Sequence, residues 1–102
     1  MAEIKEVTPK EVENRLEKEE DMEVIDVRED EEVAQGMIEN ARHIPLGELP
    51  DELDSLDKKK DYVMVCRSGR RSMNAAQLMD EQGFKVSNMA GGMLKWEGEV
   101  IS

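Results

Sequence analysis

Val63-Met64-Val65-Cys66-Arg67-Ser68-Gly69-Arg70-Arg71-Ser72 contains the only cysteine of the chain. A short apolar run with two β-branched valines stops at Cys66 and gives way to small and cationic residues, and a helical pattern starts near Ser72. The stretch predicts a strand, a tight loop and a helix.

That order has chemical consequences for Cys66. A loop leading into a helix N-terminus turns several unpaired backbone N–H groups toward one point, and the helix dipole adds positive potential there. A free cysteine titrates near ~8.5, and helix N-termini and neighbouring arginines pull that value down, so Cys66 is expected as a thiolate nucleophile in an anion cradle. Ser68 and Ser72 add hydroxyl donors, Gly69 permits backbone angles that other residues resist, and Arg67, Arg70 and Arg71 offer forked donors to oxyanions. Crowding on so short a loop makes Arg67 the first of the three expected at the surface.

The flanking sequence alternates between strand and helix signals. Ile4 to Val7 reads as a first strand. Thr8-Pro9-Lys10-Glu11 carries a Thr N-cap, a Pro at the first helical position and the Glu of a capping box. Val12 and Leu16 mark that helix, which should fray in the charged run Glu17 to Asp21. Met22 to Val27 reads as a buried parallel strand, and Glu29 to Glu32 as the solvated first turn of a short helix, favoured there by the dipole. Gly36 should stop that helix, and Ala41 to Pro45 predicts a short strand. Leu49, Leu53 and Leu56 repeat at helical spacing from Pro50 onward, and Asp57 to Asp61 is a polar connection into the central strand. Beyond the loop, Met73, Ala76 and Met79 or Asp80 mark a helix closed by Gln82-Gly83-Phe84. Lys85 to Met89 is the last strand, Ala90-Gly91-Gly92 a turn, and Met93 to Glu97 a final helical turn with Trp96. The alternation predicts an α/β fold, a mainly parallel sheet with helices on both faces, whose ligands sit at the carboxyl ends of the strands, where Cys66 lies.

At 102 residues the length predicts a single domain over residues 1–102. The lack of a long apolar segment and of a secretory start predicts a cytoplasmic protein. One cysteine and one histidine cannot complete a four-ligand zinc site by themselves, so neither a metal nor another cofactor is expected. A net charge of −11, from 25 acidic and 14 basic residues, argues against nucleic-acid or membrane partners. It does not exclude an anionic substrate: an arginine about 4 Å from an anion contributes ~4 kcal/mol at an effective dielectric near 20. Exposed carboxylates more than ~8 Å away are largely screened.

With these pieces placed, the chain resembles the rhodanese-like domain family over nearly its whole length. The resemblance rests on Asp26-Val27-Arg28, Gly36-x-Ile38, Ala41-x-x-Ile44-Pro45, the loop Cys66 to Ser72, Gly83-Phe84, and Asn88-Met89-Ala90-Gly91-Gly92 with Trp96. It implies a five-stranded central sheet and a sulfurtransferase that carries sulfane sulfur as a persulfide on Cys66. Its donor would be a small molecule such as thiosulfate and its acceptor cyanide or a thiol, with a sulfur-relay protein as a further partner class. Carried over by position, Arg67, Ser68, Gly69, Arg70 and Arg71 build the active-site loop, and Asp26 and Arg28 brace it. The family often has His where this chain has Met37, a difference that touches no expected chemistry.

Two alternatives stand beside this reading. Cysteine phosphatases use the same strand, loop and helix with C-x5-R spacing; here that position is Ser72 and Arg71 falls one residue early, a shorter ring suited to one sulfur atom. A binding module, or a carrier that hands persulfide to a partner protein, would use the same residues without turnover of small donors. His43 is expected in a structural role, Trp96 in packing and the methionines as core filler.

Overall fold

In a computed structural model that describes residues 3–102, five strands form one sheet: β1 Lys5–Val7, β2 Met22–Asp26, β3 Arg42–His43, β4 Asp61–Val65 and β5 Lys85–Met89. Their order is β1-β5-β4-β2-β3 and every pairing is parallel. Met1 and Ala2 lie outside the described residues. The α/β sheet anticipated from the alternating pattern is thus present, and an antiparallel bridge between Met37 and Ile101 lies apart from it.

Local chemistry sets most element boundaries. Helix α1, Pro9–Glu17, starts at the capping box: the Glu11 N–H donates to the Thr8 hydroxyl at 3.1 Å and the Thr8 N–H to the Glu11 carboxylate at 3.0 Å. Helix α2, Asp30–Val33, follows Glu29, with its acidic side chains in the first turn; it ends at Ala34, short of Gly36. Helix α4, Arg70–Glu81, closes through bonds from Gly83 N–H to Asp80 C=O and from Phe84 N–H to Met79 C=O, both 3.0 Å, and Phe84 is buried as the capping contact.

One element differs from its sequence pattern. The helix expected across Leu49, Leu53 and Leu56 is a single α turn, α3, Leu49–Glu52, between 3-10 turns at Leu46–Glu48 and Leu53–Ser55. So short a segment cannot recover the cost of helix nucleation. Leu49 and Leu56 are buried nonetheless, so the apolar pattern identified the packing face rather than the helix type.

The alternation along β4 divides the core. Tyr62, Met64 and Cys66 pack on one face with Ile25, Val27, Leu49, Ala75, Ala76 and Met79, beneath α3 and α4. Val63 and Val65 pack on the other with Val7, Val12, Val24 and Met89, against α1 and Trp96. Helices therefore cover both faces, β4 runs through the middle, and Cys66 emerges at its carboxyl end. The Tyr62 hydroxyl donates to Asp57 C=O at 2.9 Å and accepts the Asp57 N–H at 3.0 Å, which fixes the approach to β4.

Met64 is fully buried at the centre of this arrangement. Met64→Ala should cost about 2–5 kcal/mol, read as a lower urea midpoint at unchanged slope.

Candidate active site

The strand ladder continues one step past the end of β2: Val27 N–H donates to Val65 C=O, at the end of β4, at 2.9 Å. After it the chain turns through Cys66 to Gly69, and α4 begins. Gly69 stands at the N-cap with φ +99°, a conformation natural to glycine, and a Cβ there would lie 3.2 Å from the Gly91 nitrogen. The turn bends the loop round the sulfur. Gly69 N–H donates to Cys66 Sγ at 3.1 Å and the Ser72 hydroxyl at 3.3 Å.

The donors face inward because the carbonyls are held elsewhere. Met93 N–H takes Cys66 C=O at 2.9 Å, Leu94 N–H takes Arg67 C=O at 3.0 Å, and the Asn88 side-chain amide takes Gly69 C=O at 3.1 Å. Gly92 makes the first two bonds sterically possible. Its φ is +58°, and a Cβ would fall 2.5 Å from both the Cys66 and Arg67 oxygens. The 3-10 turn Gly92–Lys95 thus clamps the outside of the loop.

Burial pushes the Cys66 thiol up, but the Ser72 hydroxyl and the backbone N–H groups of Ser72, Gly69 and Ser68 outweigh it, leaving the thiol below its ordinary value. Cys66 is free and its side chain has no solvent-exposed surface. The charged form is stabilised by hydrogen bonds and not by a histidine. His43, the only histidine, has Nε2 2.7 Å from the Arg28 carbonyl and donates to it. Trp96 donates to Glu99 C=O and packs on the opposite face from Cys66. Among the described residues no cluster of His, Cys, Asp and Glu side chains is placed to hold a metal ion.

The loop residues separate into distinct positions. Gly69 and Ser72 contact the sulfur, whereas Arg67, Ser68 and Arg70 are exposed. Arg71 turns to Glu32 in a two-pronged pair at 2.6 and 2.8 Å. That pairing, with help from the Glu29 N-cap and the charges of Arg71 and Arg28, holds the Glu32 carboxyl at about 2. The Arg71 guanidinium remains within electrostatic range of the Cys66 sulfur.

Asp26 and Arg28 form a buried pair beneath this layer. Arg28 Nη2 donates to Asp26 Oδ2 at 2.8 Å, and Nε reaches both carboxylate oxygens. Arg28 Nη2 also donates to Gly36 C=O at 2.8 Å. The guanidinium therefore ties the end of β2 to the segment after α2, the helix that carries Glu32, and Glu32 ties that helix to α4. In the sequence Glu32 was visible only as part of a charged helix start. Asn88, a polar residue in a buried strand, and the Gly91-Gly92 doublet were visible signals whose roles needed the fold.

Two measurements test this arrangement. Ser72→Ala should move the pH midpoint of iodoacetamide alkylation upward, while the native circular dichroism spectrum is kept. For Glu32, ionisation at about 2 when folded against 4.5 as the ordinary value means the pair's stabilisation is complete above pH 4.5 and lost as pH falls toward 2. The pair is partly open to solvent, so Glu32→Gln should cost about 1–2 kcal/mol at neutral pH, and its deficit against the wild type should shrink below pH 4.5.

Known proteins share this architecture. The family model described as "Rhodanese-like domain" matches residues 8–99. The Bacillus subtilis (strain 168) protein named "Putative sulfurtransferase YtwF" is 54% identical over 98 residues, covering 96% of this chain and 95% of the relative. "Thiosulfate sulfurtransferase GlpE" of Coxiella burnetii (strain RSA 331 / Henzerling II) is 34% identical over 83 residues, 80% of this chain and 78% of the relative. A crystal structure of a rhodanese-like domain protein from Staphylococcus aureus superposes with TM-score 0.89 at 36% identity, covering 96% of this chain and 97% of that one.

Proposed function

This chain belongs to the rhodanese-like domain family, and from that premise we propose that it is a cytoplasmic, single-domain thiosulfate sulfurtransferase working through a persulfide on Cys66. The observation that carries the reading is the Cys66 sulfur, buried at the carboxyl end of the central strand and met by Gly69 N–H and the Ser72 hydroxyl.

The Cys66 thiolate attacks the outer sulfur of thiosulfate. The S–S bond of thiosulfate breaks, its electron pair leaves with sulfite, and Cys66 becomes Cys66-S-S⁻. Arg67 and Arg70, on the exposed side of the loop, attract the incoming dianion and stabilise the departing sulfite. The terminal sulfur then carries the negative charge toward which the donors of the loop are directed. Cyanide or a thiolate attacks that sulfur, leaves as thiocyanate or a new persulfide, and returns the electron pair to Cys66. The nucleophile is drawn toward its ionised form by its hydrogen bonds rather than by a histidine base. In this mechanism Ser68, Gly69 and Ser72 act on the sulfur, Arg71 contributes its field from the Glu32 pair, and Asp26 with Arg28 supports the loop.

The loop length weighs against phosphoryl transfer. At the position where a C-x5-R loop would place its arginine stands Ser72, buried and donating to Sγ.

Thiosulfate should add about 32 Da, one sulfur, to the intact protein; cyanide should remove it, and Cys66→Ser should never acquire it. Steady-state rates with both substrates varied should give parallel double-reciprocal lines. Loading without cyanide turnover would mark a carrier, and an unchanged mass would end the reading.

A further inference from the structure

We propose that the rim around Cys66 is a docking surface for an acidic protein segment, a loop tip or chain terminus that presents an acceptor cysteine beside an apolar side chain. The inference rests on the sulfur-transfer reading above and names the partner of that site.

Three observations converge on the rim. The chain is rich in carboxylates, and Arg15, Arg28, Arg42 and Arg71 each hold one, from Glu20, Asp26, Glu23 and Glu32 respectively. Arg67 and Arg70 are exposed and, among the described residues, form no ion pair. In a chain of net charge −11, the arginines left unneutralised are both on this loop.

Leu94 is the second observation. It is 58% exposed, and its N–H bond to Arg67 C=O fixes it directly beside the loop. Among the described residues the other large exposed apolar ones, Val100 and Ile101, lie in the C-terminal segment that bridges to Met37. Third, a cleft of about 270 Å³ runs between Arg28, Glu32 and Gln35 on one side and Arg67, Met93 and Leu94 on the other.

A small donor or acceptor needs the loop alone. The apolar shelf of Met93 and Leu94 and the cleft beyond it extend recognition past the sulfur and fit a peptide side chain next to the reacting thiol. Carboxylates on the same segment would complement Arg67 and Arg70. Because Cys66 has no exposed surface, the acceptor thiol has to protrude. In the transfer, the acceptor thiolate attacks the terminal sulfur of Cys66-S-S⁻, the Cys66 S–S bond breaks, and its electron pair returns to Cys66. The acceptor leaves as a persulfide, with no net oxidation.

The test uses full-length protein loaded with thiosulfate, with loading read by mass, then discharged by cyanide, acetyl-Asp-Leu-Cys-Asp-amide or acetyl-Lys-Leu-Cys-Lys-amide. The acidic peptide should discharge the persulfide roughly tenfold faster than the lysine peptide at low salt, and the ratio should narrow as salt rises. Flanking carboxylates raise a thiol's pKa and lysines lower it, so thiol chemistry alone gives the opposite order. Leu94→Ser, which keeps the main-chain N–H that holds Arg67 C=O and alters only the exposed side chain, should slow the acidic peptide about fivefold and leave cyanide discharge within about twofold. Equal peptide rates, or a Leu94→Ser protein slowed equally toward cyanide, would overturn the proposal. Failure to load would instead sink the sulfur-transfer reading. Docking is then decided by amide chemical shifts with acetyl-Asp-Leu-Ser-Asp-amide: saturable changes at Arg67, Arg70 and Leu94 uphold it, and their absence overturns it.

Discussion

The outward pull on three carbonyls, those of Cys66, Arg67 and Gly69, is the constraint on which the site depends. Each is taken by a partner outside the loop, Met93 N–H, Leu94 N–H and the Asn88 amide, so the loop's own N–H groups are free to converge on the sulfur. Two of these bonds need Gly92, because a Cβ there would occupy the space of the carbonyl oxygens themselves. A buried anion is costly unless several donors meet it. The polypeptide meets that requirement with main-chain groups and one hydroxyl, which are fixed by the fold before any substrate arrives.

A second layer holds the loop from the other side. The Asp26–Arg28 pair is almost wholly buried, and Arg28 distributes its remaining donors to the carbonyls of Gly36 and Glu32. Pairs of this kind add little net stability against apolar replacements, but removing one partner strands the other's charge. Their value here is geometric: they fix the segment that bears Glu32, and Glu32 in turn sets the direction of Arg71. Charge is thereby sorted within one short loop. Arg71 is neutralised at the side, while Arg67 and Arg70 keep their charge at the opening.

This sorting reconciles an acidic chain with a loop whose exposed arginines are cationic. The net charge of −11 belongs to the whole surface, whereas the potential within a few ångströms of the sulfur is set by the nearest groups, where screening by solvent and salt is weakest.

The sequence by itself determined the order of elements and the position of Cys66 at the end of the central strand. Strand and helix periodicity, the Thr8 to Glu11 box and the cap at Gly83 are local signals, and local hydrogen bonds enforce them in the structure. The Leu49 to Leu56 pattern disclosed burial but not helix type, because periodicity records which side faces the core and says little about helix nucleation. The convergence of donors on Cys66 was legible in the loop residues, but the partition among its arginines was not. Glu32 and Arg71 are 39 residues apart, and Asn88 is 19 residues from Gly69. Only the stacking of α2 and β5 around the end of β4 brings those groups into contact, and the direction of a long, flexible side chain is decided by whichever counter-charge the fold delivers to it.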